Sequence, residues 1–281
     1  MWKQKIGISI SNNYKVPTVK IVKLVADIGF DAISPEWNEN VSLEPIIAAA
    51  KEKNLIIQSL HAPFHNAKKM WSEDESESKP AVKELLAALE DCKKYNIPVM
   101  VVHNWIGFNY TFGETKFGFE NFSKVVNKAK EYGVKIAFEN TEGEEYLFAL
   151  MDYFKDDETV GFCWDSGHEM CYNYSKPLLE KFGDRLYMTH LNDNLGISDF
   201  EGKIYYTDDL HLLPYDGVAD WDRNVRLLKK SRHMDILNFE LKINSQKNRH
   251  DNEIYAKMGI KLYFHEAYKR ACKIAYKYCQ E

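Results

Sequence analysis

The sequence predicts an α/β fold, a closed (β/α)8 barrel that takes residues 1–281 as a single domain, and three observations carry that expectation. Short apolar runs of strand length alternate with segments whose apolar residues recur at helical spacing, eight of each in strict order. Strands separated by helices pair in parallel through right-handed crossovers, and eight such units in 281 residues fit a closed barrel better than an open doubly wound sheet. No linker or low-complexity tract divides the chain.

Taken in order, Lys5–Ile10 reads as the first strand, followed by a helix over Val16–Ile28 that Gly29 stops. The second unit is Asp31–Glu36 with a helix from Ser42 to Lys53. Leu55–Leu60 precedes a helix over Ala81–Tyr95, and the acidic stretch Ser72–Lys79 between them reads as a mobile, solvated loop. Pro98–Val102 leads to a helix over Phe119–Tyr132, and Val134–Phe138 to one over Glu144–Phe154. Val160–Trp164 passes through a tight Ser166-Gly167 turn to a short helix over Pro177–Phe182. Arg185–Thr189 is followed by a long loop and a helix from Trp221 to Ser231. Ile236–Phe239 is the last strand, and Asn252–Tyr278 closes the chain as one long or broken helix.

Composition narrows the class. Hydrophobic residues at 45% and charged ones at 28% describe a soluble globular protein with ample core. The net charge of −5 offers no global attraction for nucleic acid or an anionic membrane. Five cysteines, an odd number with no C-x-x-C pair, favour reduced cytoplasmic thiols over disulfides or a zinc-thiolate site. Met1 leads straight into a charged segment and a strand, so no secretory leader is expected, and no apolar run reaches the roughly 18 residues that would span a membrane.

The functional signal lies in where the polar residues fall. The active site of such a barrel is built at the carboxyl ends of its strands. Here the third strand ends at His61, the fourth at His103, the fifth at Glu139, the sixth at Asp165, the seventh at His190 and the eighth at Glu240. Each alone reads equally well as a satisfied histidine, a helix cap or an ion pair, but six in phase on one rim point to a divalent metal. Glu139, Asp165, His190 and Glu240 supply three carboxylates and one imidazole, which suit Zn²⁺, Mn²⁺, Mg²⁺ or Co²⁺. Three carboxylates converging on one point repel one another without a cation, unless a lysine such as Lys242 neutralises one of them. His168 stands just above Asp165 and faces the same point. In an extended segment Asp209 and His211 would share a face and hold one ligand, although a polar loop tip accounts for them as well. Trp37, Phe64, Trp105 and Phe108 lie just beyond strand ends and could wall a cavity, where core packing is the plainer role for each.

With these residues in hand, the chain resembles the sugar phosphate isomerase/epimerase superfamily, the xylose-isomerase-like TIM barrels that also include endonuclease IV. The likeness runs over essentially the whole chain. Its carriers are Ser-Leu-His61-Ala-Pro, Val-Val-His103, Ala-Phe-Glu139-Asn, Trp-Asp165-Ser-Gly-His168, Thr-His190-Leu with Asn192-Asp193, the Asp209-x-His211 loop with its trailing Asp-Trp, and Phe-Glu240. The resemblance implies that Glu139, Asp165, His190 and Glu240 are the shared metal ligands, with Glu139 and Glu240 also catalytic. It implies that His168 contacts substrate, as in ketose 3-epimerases. His61, His103, His168, Asp209 and His211 equally match the further ligands of the three-zinc cluster of endonuclease IV.

Two enzymatic readings follow. In the first, a cytoplasmic isomerase or epimerase of carbohydrate metabolism takes a small polyhydroxylated carbonyl substrate, and Glu139 and Glu240 remove and return a proton beside the carbonyl. In the second, a multinuclear zinc site cleaves abasic DNA, which requires basic loops at the mouth. Ser72–Lys79 is acidic and Lys68, Lys69, Arg223 and Arg226 are scattered, so the sugar reading leads and nucleic acid is disfavoured. A barrel without activity conflicts with the intact carboxylate set. Substrate phosphorylation, the identity and number of metal ions, and oligomeric state, a homo-oligomer included, stay open.

Overall fold

The computed structural model of the chain describes residues 4–11, 14–113 and 115–280. Its strands are β1 (Lys5–Ile10), β2 (Ala32–Pro35), β3 (Ile56–Ile57), β4 (Leu60–His61), β5 (Val99–His103), β6 (Lys135–Glu139), β7 (Val160–Asp165), β8 (Leu186–His190) and β9 (Ile236–Phe239). All pairings between them are parallel, in two sheets ordered β3-β2-β1-β9 and β4-β5-β6-β7-β8. Isolated parallel bridges from Glu36 to His61 and from Leu191 to Phe239 join the sheets edge to edge and close the barrel. The expected third strand is thus two short pieces: β3 pairs with β2, and β4, after a break at Gln58–Ser59, pairs with β5.

Ten helices are described: α1 (Thr18–Ile28), α2 (Glu44–Glu52), α3 (Glu75–Tyr95), α4 (Lys116–Tyr132), α5 (Glu144–Tyr153), α6 (Ser166–Cys171), α7 (Leu178–Phe182), α8 (Trp221–Lys230), α9 (Glu253–Met258) and α10 (Ile260–Cys279). Among the described residues, none is long and apolar enough to cross a membrane. The expected acidic loop is helical from Glu75 onward. Asp74 caps that helix by accepting from Ser76 N at 2.8 Å, Glu75 and Glu77 favour its first turn, and Glu75 pairs with Lys79 at 2.6 Å. The expected Ser-Gly turn is instead the start of α6, with Asp165 as its cap. The C-terminal helix breaks at Gly259, whose φ of 78° no helical residue adopts.

Alternation along the strands separates two cores. One face packs against the helices, through residues such as Met100, Val102, Ile136, Phe138, Phe162 and Leu186. The other forms a small inner cluster of Val99, Val101, Ala137, Cys163 and Met188. Side chains two apart in a strand share a face, so this inner stripe runs on into His103, Glu139, Asp165 and His190. A bulge in β8 preserves the phase: Phe162 pairs with Leu186 but Cys163 with Met188, so Tyr187 is skipped and His190 faces inward beside Asp165.

The long segment between β8 and α8 is folded around Asp193, a buried carboxylate. It accepts from Asn194 N, Tyr215 N, Ala219 N and Trp221 Nε1 at 2.8–3.0 Å, while its backbone pairs with Leu212. This fixes the loop that carries Asp209 and His211. Asp193→Ala strands four donors, and since hydrogen bonds to a charged group contribute about 1.5–3 kcal/mol each but do not add fully, a loss of about 3 kcal/mol or more is expected in denaturant unfolding. A loss within about 0.5 kcal/mol, the range of a neutral surface change, would contradict this role.

Candidate metal centre

Five strands end on the residues that the sequence singles out. His61, His103, Glu139, Asp165 and His190 are the last residues of β4 to β8, with His103 paired to Glu139 and Asp165 to His190. Glu240 lies one residue past β9, its N–H donating to Leu191 O at 3.2 Å. Glu139, 0% exposed, is the hub. Its Oε1 lies 3.1 Å from His190 Nδ1 and 3.2 Å from His168 Nδ1, and its Oε2 lies 3.3 Å from both His61 Nε2 and His103 Nε2. His190 Nδ1 also meets Glu240 Oε2 at 2.9 Å.

Asp165 is held from two directions. Its Oδ1 accepts from His168 N at 2.7 Å, which places His168 on the first turn of α6, and Asn192 Nδ2 reaches both carboxylate oxygens at 3.0 and 2.9 Å. Gly167 makes this approach feasible, because a Cβ there would lie 1.9 Å from Asn192 Oδ1. In the sequence Asn192 stands out only as part of a motif with Asp193, not as a site residue. Its role rests on contacts between β7, α6 and the segment after β8, which no local pattern reveals.

The Asp209-x-His211 pair meets by a different route from the extended one expected. His211 has a φ of 45°, a left-handed turn that brings its Nε2 to 2.8 Å from Asp209 Oδ1, and His168 Nε2 lies 3.4 Å from the same oxygen. Lys242 does neutralise a carboxylate, but it is Asp209, at 2.7 Å, and not one of the four proposed ligands. Gln246 Nε2 donates to Asp209 O at 2.6 Å and ties the loop down.

The hydrogen bonds fix which ring nitrogens face the cup. His61 Nδ1 lies 2.8 Å from Ala62 O and His211 Nδ1 lies 3.1 Å from Glu240 O. A carbonyl only accepts, so both Nδ1 atoms carry hydrogen, and in the neutral rings Nε2 points a lone pair at Glu139 and Asp209. Lone pair facing carboxylate is repulsive unless a proton or a cation lies between them. Glu139 Oε2, His168 Nδ1 and Asp209 Oδ1 are buried and lack a hydrogen-bond partner despite these close neighbours. Backbone carbonyls on the far nitrogen of a histidine are the usual support of a metal ligand. The donor set therefore fits a divalent cation. Ligand atoms of Glu139, Asp165, His190 and Glu240 lie within 4.8 Å of one another, as do those of His61, His103 and Glu139, and those of Asp165, His168 and His211.

Above these groups opens a cavity of about 520 Å³, in the range of small-molecule sites. Glu139, Glu240, His61, His103, His168, Asp209 and His211 face it, whereas Asp165 and His190 are buried in the floor. Phe64 and Phe108 line it; Trp37 and Trp105 are not among its lining residues. The Trp37 indole donates to Asp91 on α3 at 2.8 Å, and Trp105 stacks on Tyr146 of α5 with ring centres 4.3 Å apart. Tyr172, stacked on His168 at 4.9 Å, and Tyr206 supply the wall instead, from segments that carry no local signal of their place here. Glu36, one residue past β2, also lines the cavity and belongs to the same series of strand-end carboxylates.

Burial and charge pull in opposite directions at every group. Burial opposes the charged imidazole of His190, but Cys163, Glu240 and Glu139 outweigh it and raise His190 well above 6.5. The Cys163 thiol is itself pushed up to about 12 by burial, so the two glutamates are the charges at work near neutrality. His168 is likewise raised, against burial, by Asp165 and Asp209. His103 goes down because burial wins there. Burial would raise Glu139 and Asp209, yet His190 and His103 hold the first well below the usual carboxylate range, and His211 and Lys242 the second. Asp165 moves up, by burial first.

Residues 22–261 match the family model described as xylose isomerase-like TIM barrel. Among solved structures, the IolI protein with a bound zinc atom matches with a TM-score of 0.75 at 19% identity, over 98% of this chain and 99% of that one. D-psicose 3-epimerase with D-tagatose, from Clostridium cellulolyticum H10, matches with a TM-score of 0.74 at 15% identity, again over 98% and 99%. At these identities the likeness is one of fold. A probable endonuclease 4 from Cenarchaeum symbiosum is 27% identical over 156 residues, 48% of this chain and 54% of its own length. The curated relatives are matched over 38% to 67% of their own lengths.

The pH behaviour of the metal-free protein follows in sign. Raised His168 and His190 contribute stability that is fully present below 6.5 and lost as pH rises through their folded values. Depressed Glu139 and Asp209 contribute stability present above the ordinary carboxylate values of 4.5 and 3.8 and lost as pH falls through the folded ones. The melting temperature of the metal-free protein should therefore fall on the alkaline side, and Zn²⁺ or Mn²⁺ should raise it again. Binding of either ion near neutral pH should release protons, read by calorimetry in buffers of different ionisation enthalpy. Binding with no proton release would contradict this charge assignment.

Proposed function

The chain belongs to the xylose isomerase-like TIM barrel family, and we propose that within it the protein is a metal-dependent isomerase or epimerase of a small polyhydroxylated carbonyl compound. The observation that carries the reading is the convergence of Glu139, at the end of β6, and Glu240, just past β9, on His190 Nδ1 at the base of a sugar-sized cavity. The solved epimerase and the zinc-bearing IolI structure, alike in fold, support it.

Glu139, Asp165, His190 and Glu240 would hold the cation, with Zn²⁺, Mn²⁺, Mg²⁺ and Co²⁺ all compatible with three carboxylates and an imidazole. When bound, it supplies Lewis-acid stabilisation of the negative charge that builds beside the carbonyl. The chain's own groups do the rest. Glu139 and Glu240 are both held in the ionised form, as a general base requires. One removes the proton from the carbon next to the carbonyl, and the other returns a proton to the opposite face, which inverts the centre. His168, anchored by Asp209, would hydrogen-bond a substrate oxygen. Phe64, Phe108 and Tyr172 exclude water and pack on the C–H face of the ring.

A second reading, a multinuclear phosphodiesterase like endonuclease IV, is favoured by one observation. Ligand groups form around His61 and His103, and around His168 and His211, as well as at the proposed centre. The two readings conflict at Glu139: if further cations were held at His61 and His103 as well as at His190, both of its oxygens would be engaged and it could not serve as a base. Against this reading, the described residues lining the mouth include Glu36 and Glu142, and their one lysine, Lys242, is already paired. A phosphodiester backbone needs a track of cations. We place the sugar isomerase first, and cytoplasmic carbohydrate metabolism as its setting.

Glu139→Gln and Glu240→Gln should each lower kcat by about a thousandfold or more, in line with loss of a general base, with circular dichroism unchanged. Near-normal turnover in either would reject the paired-base mechanism. During turnover of a reactive ketose in deuterated water, deuterium should enter the carbon next to the carbonyl; its absence would favour hydride transfer. Elemental analysis should find a single catalytic ion per chain and no cleavage of an abasic-site oligonucleotide. Three ions with strand cleavage would establish the second reading.

A further inference from the structure

A second chamber of about 310 Å³ opens beside the first, between the carboxyl ends of β1 and β9. The two share Glu36, Glu240, Lys242 and Gln246 among their lining residues, so they are contiguous and the proposed proton carrier Glu240 stands at their junction. The cavity over the metal centre, at about 520 Å³, already has the volume of a small-ligand site, of roughly 300–1,000 Å³. A free monosaccharide reacting there leaves the second chamber unused.

The chemistry of the second chamber is that of a neutral polyol site. Ser9, Ser11, Asn244 and Ser245 contribute hydroxyls and an amide, and Tyr14 contributes a ring. Ser9 Oγ accepts from Asn238 Nδ2 at 3.0 Å and Ser245 Oγ accepts from Asn252 N at 3.1 Å, which leaves each hydroxyl hydrogen to donate. Burial, with Glu36 and Glu240 nearby, pushes the Tyr14 hydroxyl up, so it also remains a donor near neutrality. Lys242, the one basic side chain among the described lining residues, is already held by Asp209 at 2.7 Å. A phosphate or carboxylate tail finds little to bind.

We propose that this chamber is a subsite for a second, neutral sugar ring, so that the substrate is a glycoside or disaccharide whose reacting ring lies over the metal centre. The proposal rests on the isomerase reading for the identity of the reacting ring. It extends that reading from a free monosaccharide to a two-ring substrate class.

The test is calorimetric binding of D-glucose, glucose 6-phosphate, cellobiose, maltose and lactose to the Mn²⁺-loaded protein and to Asn244→Trp, which fills the chamber from an exposed position. Asn244→Phe serves as a second variant should the first lower the unfolding midpoint. At least one disaccharide should bind tenfold or more tightly than D-glucose, and the substitution should remove that gain while changing D-glucose binding less than twofold. Disaccharides no tighter than D-glucose, a gain that survives filling, or tighter binding of glucose 6-phosphate than of any disaccharide would each overturn the proposal. The isomerase reading fails separately, by absent turnover of ketoses and keto-glycosides in the metal-loaded protein, and that result leaves the binding comparison intact.

Discussion

A carboxylate with no exposed surface, Glu139, sets the terms for the rest of this molecule. Taking such a charge out of water costs several kcal/mol even after relaxation, and a single hydrogen bond does not offset it. The barrel answers with four imidazoles, those of His61, His103, His168 and His190, all within 3.3 Å of its two oxygens. Those rings in turn meet Glu240, Asp165 and Asp209. The cup is a closed set of charges, each tolerable because of the next, and that interdependence explains why the shifts at Glu139 and at His190 run in opposite directions.

The scaffold serves this set through one geometric device. Small or slender side chains, Val101, Ala137, Cys163 and Met188, fill the barrel beneath the site, and the residue two further along each strand is a ligand type. Beyond the strands, contacts fix what the sheet cannot. Asn192 grips Asp165 across the space that Gly167 leaves, and Asp193 gathers the loop bearing Asp209 and His211. Rigid strand ends thus position the proposed ligands, while capped and cross-braced loops position the groups that face substrate.

Strand-end chemistry was legible in the chain because a period of two and an abrupt change from apolar to ionisable residue are both local signals. The same locality explains what went unread. The start of α3 depends on Asp74 as a cap, so an acidic stretch that reads as loop is a helix terminus, whereas Asp165 as the cap of α6 is one of the roles the sequence leaves open. Trp37 and Trp105 sit where expected along the chain, but their partners, Asp91 and Tyr146, lie on α3 and α5. Pairing of Asp209 with His211 was foreseen with the wrong backbone, since a positive φ at a histidine leaves no mark in composition. Lys242 was foreseen as a neutralising partner, but its carboxylate is Asp209 of the loop.

Everything proposed for this site depends on a cation held among Glu139, Asp165, His190 and Glu240, and anomalous diffraction from crystals equilibrated with Zn²⁺ tests that most directly. A strong anomalous peak is expected about 2.0–2.2 Å from ligand atoms of all four residues. No peak there, with Glu139 and Glu240 still paired to a protonated His190, would contradict it.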